Sequence, residues 1–283
     1  MALQEEAALM AVKEALQTIP EPHHVTYHLE SWRYIDDTYR LPCVVSGGTD
    51  LDVRFAALHE AWPSSGNPWK LVHAVKLCFK QVLQGVKVLH GCGWAHLGLR
   101  RSKVQVKIGS DGATPYYTVV DLSAAVGPGR DINCAFPGMF SSSHAAPELL
   151  QAVVSRGSLT EKLKMFKSQD AWSLGCLLVC VLTNCSPFVE LPWPGSTAAD
   201  DMEMTPEMQT NSDAYVLSRH AAWERDFDAG HGSPSGAAVL ARLMPDKQQH
   251  RVVARLLQSL LQPKPACRVT VDEALNDELL HGI

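Results

Sequence analysis

The stretch from Asp170 to Thr183 constrains the fold more than any other part of the sequence, because it is apolar almost all round. A helix without a polar face buries every side, so it lies at the centre of a core with other elements around it. The chain of 283 residues, 46% hydrophobic and 19% charged, is long enough to supply that core. We therefore expect a globular protein built around this helix.

The overall charge excludes some partners. Lys and Arg number 25 against 30 Asp and Glu, which gives a formal net charge of -5, so we predict no nucleic-acid partner. The most apolar run, Ala171 to Leu182, is too short to span a bilayer. Glu5 and Glu6 stand where a signal peptide carries positive charge. We predict a soluble chain with no membrane span and no leader in the sequence as it stands.

Apolar spacing and turn residues predict the order of the elements. They are a helix to residue 17, antiparallel strands within 25–29 and 41–45, a long amphipathic helix over 67–89, a strand pair over 104–108 and 116–122, the buried helix over 170–183, and helices over 252–261 and 271–280. This order predicts an α+β protein with a small strand-containing lobe followed by a mostly helical one.

Five short motifs follow one another along these elements. They are Gly93–Leu99 after the long helix, Asp121–Ser123 after the later strand pair, Ala145–Glu148, Asp170–Gly175 at the buried helix, and Arg268. Together they resemble the C-terminal lobe of the eukaryotic protein kinases, in which a catalytic loop, a DFG triplet, an APE triplet, a D-x-W-S-x-G helix start and a late arginine follow in that order. The resemblance implies a protein kinase-like bilobal fold.

The resemblance also implies a division of the chain. Residues 1–48 correspond to a partial N-lobe, a helix plus a strand pair, with the hinge, and residues 49–283 to the C-lobe with an acidic insertion around 184–214. No G-x-G-x-x-G loop precedes the first helix, so the N-lobe is incomplete in this sequence. Glu5, Glu6 and Glu14 are the candidates for the family's helix glutamate, and the sequence does not choose among them.

Three motif positions carry structural roles in the kinase family. The resemblance implies a buried ion pair between Glu148 and Arg268, whose planar guanidinium suits bidentate carboxylate binding. It implies that Asp170 accepts hydrogen bonds from the backbone of the catalytic loop. His96, at the histidine of the family's HRD triplet, is expected to pack against the DFG region.

The positions that carry chemistry depart from the family pattern. Gly98 stands where the family has its catalytic aspartate, so the loop lacks a base, whereas Arg100 preserves the charge of the lysine that steadies the transferred phosphate. Lys103 replaces the metal-binding asparagine, and an ammonium group cannot coordinate Mg²⁺. Asp121 keeps the position of the DFG aspartate and is the one metal-binding carboxylate that remains. We expect ATP and Mg²⁺ to bind weakly if they bind.

These departures favour a pseudokinase that acts as a binding or regulatory module with a protein partner. The alternative is an active ATP-dependent protein kinase of the Ser/Thr type whose N-lobe strands are missing from this chain. The His-Leu-Gly triplet at 96–98, the run 120–124 and the extended segment before Asp170 resemble the rhoptry kinases and pseudokinases of apicomplexan parasites. That branch implies secretion into host cells.

Overall fold

The computed structural model describes residues 2–18, 24–25, 31–36, 39–43, 48–65, 68–128, 132–133, 141–154, 158–159, 163–185, 188, 216–221, 224 and 247–281. The acidic insertion predicted around 184–214 lies outside these residues, apart from 184–185 and 188. The first predicted strand, 25–29, also lies outside the described residues except for Val25, as do residues 44–45 of the second predicted strand.

Seven labelled helices and seven strands fall within the described residues. The helices are α1 (Ala2–Leu16), α2 (Leu51–Ser65), α3 (Pro68–Gly91), α4 (Pro147–Val154), α5 (Leu163–Thr183), α6 (Lys247–Leu260) and α7 (Val271–Leu275), with short 3₁₀ turns at Arg101–Lys103, Pro265–Cys267 and Glu278–Leu280. The strands are β1 (Ser31–Asp36), β2 (Tyr39–Cys43), β3 (Thr49–Asp50), β4 (Val104–Ile108), β5 (Pro115–Val119), β6 (Ile132–Asn133) and β7 (Ser158–Leu159). Residues 216–221 are also helical.

The strands form three small antiparallel sheets: β1–β2, β3–β4–β5 and β6–β7. In the middle sheet Val104 pairs with Val119, and both are buried. Residues that pair directly across two antiparallel strands point to the same face of the sheet. The sheet therefore presents its apolar face to the core. Strand β4 begins directly after Lys103, and β5 ends two residues before Asp121.

Helix α5 lies at the centre of the core, as its composition predicts. Each residue from 169 to 182 is buried, and the helix packs against α3 and α6. A Cβ at Gly175 would come within 2.7 Å of the Leu261 side chain, so this close approach requires glycine. The helix begins at Leu163, seven residues before the predicted start, because its first turns carry partly exposed polar residues that break the apolar pattern.

Several predicted boundaries shift for local reasons. Strand β5 ends at Val119, ahead of the predicted residue 122, because Asp121 takes a φ of +63° that no strand accommodates. The last predicted helix is split at Asn276, and the Asp277 side chain accepts from the backbone of Leu279 to begin a new turn. Helix α2 was not predicted, although Leu51 and Phe55 on its buried face are one helical turn apart.

The α+β class predicted from the sequence is confirmed. Helices dominate the described residues, and the largest sheet has three strands. Within the ranges given above, no helix combines the length and the apolar character needed to cross a membrane.

Candidate active site

Asp170 fixes the loop that follows α3. Its carboxylate is fully buried and accepts hydrogen bonds from the backbone N–H of His96 at 2.7 Å and of Leu97 at 2.8 Å. The Nε2 of His90 lies 2.8 Å from the same carboxylate. Three N–H groups around a buried carboxylate compensate its loss of water. The contact predicted between Asp170 and the loop backbone is therefore present, and it holds Leu97 at a φ of +59°.

His96 connects this loop to the strand end that precedes Asp121. The Gly98 N–H donates to His96 Nδ1 at 3.2 Å, so Nε2 carries the proton and donates to the Val120 carbonyl at 3.3 Å. Burial lowers the pKa of His96, although the Asp170 charge opposes the shift, so the ring is neutral at pH 7. His96 thus has the positioning contact that the resemblance implies.

Lys103, directly before β4, and Asp121, two residues after β5, form an ion pair at one edge of the β4–β5 pair. The Lys103 ammonium donates to Asp121 Oδ2. The other oxygen, Oδ1, accepts from the Ser123 N–H at 3.2 Å and from its hydroxyl at 2.5 Å. Burial alone would raise the pKa of Asp121, but the hydrogen bonds from Lys103 and Ser123 and the Lys103 charge together lower it. Both carboxylate oxygens therefore have partners within the protein.

Helix α1 adds a third charged group to this pair. Glu5 is 9% exposed, whereas Glu6 is more exposed and Glu14 lies at the surface. Burial raises the pKa of Glu5 to about 7, with the negative charge of Asp121 adding to the rise and the positive charge of Lys103 opposing it. Of the three glutamates left open by the sequence, Glu5 is the buried one, and Asp121 is among the causes of its raised pKa.

Gly98 and Arg100 lie between these two anchored regions. Gly98 is buried and offers only backbone groups, and the loop from 94 to 103 contains no carboxylate. Arg100 Nε donates to the hydroxyl of Ser102 at 3.0 Å. Arg101, which the sequence analysis did not single out, bridges Asp52 at 2.6 Å and Asn184 at 2.7 Å. The loop from 94 to 103 therefore carries the cations Arg100 and Arg101 but has no proton acceptor at Gly98.

Glu148 and Arg268 meet across 120 residues of sequence, as predicted. The two guanidinium nitrogens lie 2.5 and 2.8 Å from the two carboxylate oxygens, and the Gln169 amide donates to the same carboxylate at 2.6 Å. The guanidinium stacks 5.0 Å from the centre of the Trp172 ring. Its other donors reach the carbonyls of Ser168, Gln262 and Pro263.

His90 is a site residue that sequence reasoning missed. It lies in the last turn of α3 and contacts Asp170, which is 80 residues away in sequence. Nothing in the local pattern distinguishes it from another polar residue on an amphipathic helix. Only the position of α5 against α3 reveals its role.

The donor set at Asp121 does not fit Mg²⁺. This ion takes oxygen ligands in near-octahedral geometry and keeps several waters. Here an ammonium group contacts one Asp121 oxygen and Ser123 occupies the other. Within the part of the chain that the structure describes, no three His, Cys, Asp or Glu side chains cluster in a way that could hold a metal ion.

The sequence of this chain matches a family model and curated proteins. A family model described as "Protein kinase domain" matches residues 67–280. The chain is 26% identical over 220 residues to the serine/threonine-protein kinase PTK2/STK2 of Saccharomyces cerevisiae, covering 74% of this chain and 25% of that protein. It is 26% identical over 226 residues to the serine/threonine-protein kinase PTK2 of Candida glabrata, covering 76% of this chain and 27% of that protein. The chain thus spans about a quarter of the length of these curated relatives.

Solved structures give the same fold. The crystal structure of the Rad53 kinase domain and SCD2 matches with a TM-score of 0.55 and 18% identity, over 97% of this chain and 78% of that chain. The same protein in complex with AMPPNP matches with a TM-score of 0.52 and 19% identity, over 95% and 78%. At these identities the likeness shows the fold alone.

Proposed function

This chain belongs to the protein kinase domain family, and on that premise we propose that it is a pseudokinase, a binding or regulatory module with a protein partner. Its scaffold contacts, Asp170 to the loop and Glu148 to Arg268, are those that hold a kinase-like surface in shape. Its chemistry positions differ from what phosphoryl transfer needs.

The observation that carries this proposal is the Lys103–Asp121 ion pair. Phosphoryl transfer relies on metal ions to neutralise the charge that develops on the phosphate oxygens. In this chain the carboxylate that corresponds to the family's metal ligand is neutralised by a lysine of the chain itself. Gly98 supplies no proton acceptor beside it. A cation fixed to the protein therefore takes the place of a cation that arrives with nucleotide.

Nucleotide binding, on this proposal, is weak and only slightly dependent on Mg²⁺. The AMPPNP complex of the Rad53 neighbour supports nucleotide binding as a property of the fold. Metal dependence requires a divalent ion at Asp121, where Lys103 competes for the same oxygen. The division into a partial N-lobe over 1–48 and a C-lobe over 49–283, and the assignment to the apicomplexan rhoptry branch, stay predictions.

A second candidate is an active Ser/Thr protein kinase, which the names of the two yeast relatives favour. Positioning and electrostatics carry much of phosphoryl transfer, so loss of a base alone does not exclude activity. On this candidate Arg100 steadies the transferred phosphate and Lys103 releases Asp121 when nucleotide binds.

Transfer of radiolabelled phosphate from ATP to a generic protein substrate separates the two candidates. The comparison uses the wild type and the double variant Gly98→Asp with Lys103→Asn, which restores a proton acceptor and an amide ligand. We expect neither to transfer phosphate, because the sequence as it stands contains no Gly-rich loop to hold the γ-phosphate in line.

One result would contradict the proposal, and a second would contradict only the expectation that the phosphate-holding groups are missing. Turnover by the wild type would favour the active kinase. Turnover by the double variant alone would show that the phosphate-holding groups are present and that only the catalytic loop is altered. A Gly98→Ala and Lys103→Gln variant, which changes the same positions without supplying an acid, is the matched control.

A further inference from the structure

A wide cleft lies between α3, α5, the 3₁₀ turn at Pro265–Cys267 and α7, and it borders the candidate active site at His90. Its volume is about 1460 Å³, and its lining includes Lys87, His90 and Lys167 on one wall and Cys267 and Asp272 on the other. Pockets for small molecules are typically about 300–1,000 Å³. A cleft of this size and openness accommodates a peptide segment better than a single metabolite.

Lys167 is the one cation of this wall that lacks a carboxylate partner in the part of the chain that the structure describes. Its partly buried ammonium donates to the His90 carbonyl at 2.6 Å. A lysine ammonium has three N–H donors, so two are left for a ligand. Lys87 differs, because it forms an ion pair with Asp272 at 2.6 Å. The unmatched positive charge in the cleft is therefore that of Lys167.

The acidic residues of the opposite wall already have partners. Asp272 accepts from Lys87, and Glu273 accepts from the backbone and hydroxyl of Thr270 at 2.8 Å each, in a capping box at the start of α7. Lys87 neutralises Asp272, whereas the donors at Glu273 are neutral and its carboxylate keeps its negative charge. Within the described residues, neither carboxylate forms an ion pair with Lys167.

The cleft is connected to the catalytic loop by a short chain of hydrogen bonds. Lys167 holds the carbonyl of His90, and the His90 ring contacts Asp170 at 2.8 Å. Asp170 in turn accepts from the N–H groups of His96 and Leu97. A ligand that pulls on Lys167 therefore acts on a residue that helps to position the catalytic loop.

We propose that this cleft binds an acidic peptide segment of a partner protein, with a carboxylate on Lys167, and that binding further orders the catalytic loop through His90 and Asp170. The charge of Lys167 selects an acidic ligand, and the volume selects a peptide. The inference does not depend on the pseudokinase proposal, because neither Lys103 nor Asp121 takes part in it.

Binding is tested with a fluorescein-labelled oligoglutamate peptide and the whole chain, followed by fluorescence anisotropy. Lys167→Met keeps most of the side chain and removes the charge, so we expect binding to weaken about tenfold or more, as for loss of a charge-assisted hydrogen bond. Lys13→Met, at an exposed lysine of α1, is the matched control and should bind as the wild type does. Equal binding by wild type and Lys167→Met would overturn the proposal, as would displacement of the peptide by inorganic phosphate at equal concentration, which would indicate a small-anion site.

Transmission to the loop is tested by hydrogen exchange at the backbone amides of His96 and Leu97. We expect the peptide to slow exchange at both amides in the wild type and in Lys13→Met, and not in Lys167→Met. Binding that depends on Lys167 but leaves these two amides unchanged in the wild type would overturn the coupling.

Discussion

Two cation–carboxylate pairs in this molecule have different surroundings. The guanidinium side chain of Arg268 is 0% exposed and that of Glu148 is 19% exposed, and the pair is bidentate with backbone carbonyls around it. Lys103 and Asp121 are 21% and 33% exposed and meet through one carboxylate oxygen. The first pair joins α4 to the chain that follows α6. On the pseudokinase proposal, the second pair fills the position of the family's metal ion.

The different burial of the two ion pairs bears on how a fold can be kept while the chemistry of its site changes. Removing one partner of a buried pair leaves an uncompensated charge in the core, so such a pair resists substitution. A pair near the surface contributes little to stability, and its residues are free to change. On the pseudokinase proposal, this contrast accounts for Glu148, Arg268 and Asp170 matching the family motifs while Gly98 and Lys103 do not.

The contrast is tested most strongly by Arg268→Ala. This change leaves the Glu148 carboxylate and the carbonyls of Gln262 and Pro263 without their donor, so we expect a loss of about 3–5 kcal/mol in the free energy of unfolding. Urea denaturation measures it. Arg255→Ala is the matched control, because Arg255 is half exposed and pairs with Asp277 at 3.2 Å, so its removal should cost about 1 kcal/mol or less. Similar losses in the two variants would contradict the contrast.

The pH dependence of stability tests the position of Glu5. Its pKa in the folded chain is about 7, against an ordinary value of 4.5, so the folded state holds this proton more tightly than the unfolded state. Stability from this group is full below the ordinary pKa and falls as the pH rises through 7, by about 3 kcal/mol.

Glu5→Gln removes that decline and should therefore unfold at higher urea than the wild type at pH 8. Glu14→Gln, at an exposed glutamate of the same helix, should leave the pH profile unchanged. If the wild type and Glu5→Gln follow parallel profiles between pH 4 and 8, the pKa of Glu5 is not raised in the folded chain.

Lys103→Met should have the smallest effect on stability. The folded pKa of Asp121 is lowered, so its contribution is present above the ordinary value of 3.8 and is lost as the pH falls below that value. Because both side chains are partly exposed, we expect a loss of about 1 kcal/mol at pH 7 that disappears near pH 2. Urea denaturation at the two pH values measures it, and a loss of equal size at both would show that packing and not charge is responsible.

Much of the fold could be predicted from the sequence because its strongest signals are local. The apolar run of α5 and the three- and four-residue spacing of α3 require no tertiary information. The element boundaries that differ from the prediction depend on backbone turns, such as the positive φ of Asp121, and the spacing of apolar residues does not reveal these turns. Helix α2 was not predicted because its apolar residues do not share one face: Leu51 and Phe55 are buried, whereas Val53 is exposed.

The candidate site was predictable only where motif order carried the information. The Glu148–Arg268 contact follows from the order of the motifs, although 120 residues separate the two. The choice of Glu5 among three glutamates, and the contact of His90 with Asp170, depend on how α1 and α3 pack against the rest of the core. Those contacts are set by tertiary structure, and the sequence pattern does not predict them.

The central claim is that Lys103 occupies the position of a metal ion at Asp121. Its most direct test is the shift in melting temperature caused by ATP, measured with Mg²⁺ and with EDTA, for the wild type and for Lys103→Asn. We predict a small shift for the wild type that differs only slightly between the two conditions. A shift of many degrees that the wild type shows only with Mg²⁺ would contradict the claim, because it would place a divalent ion where the lysine is bound.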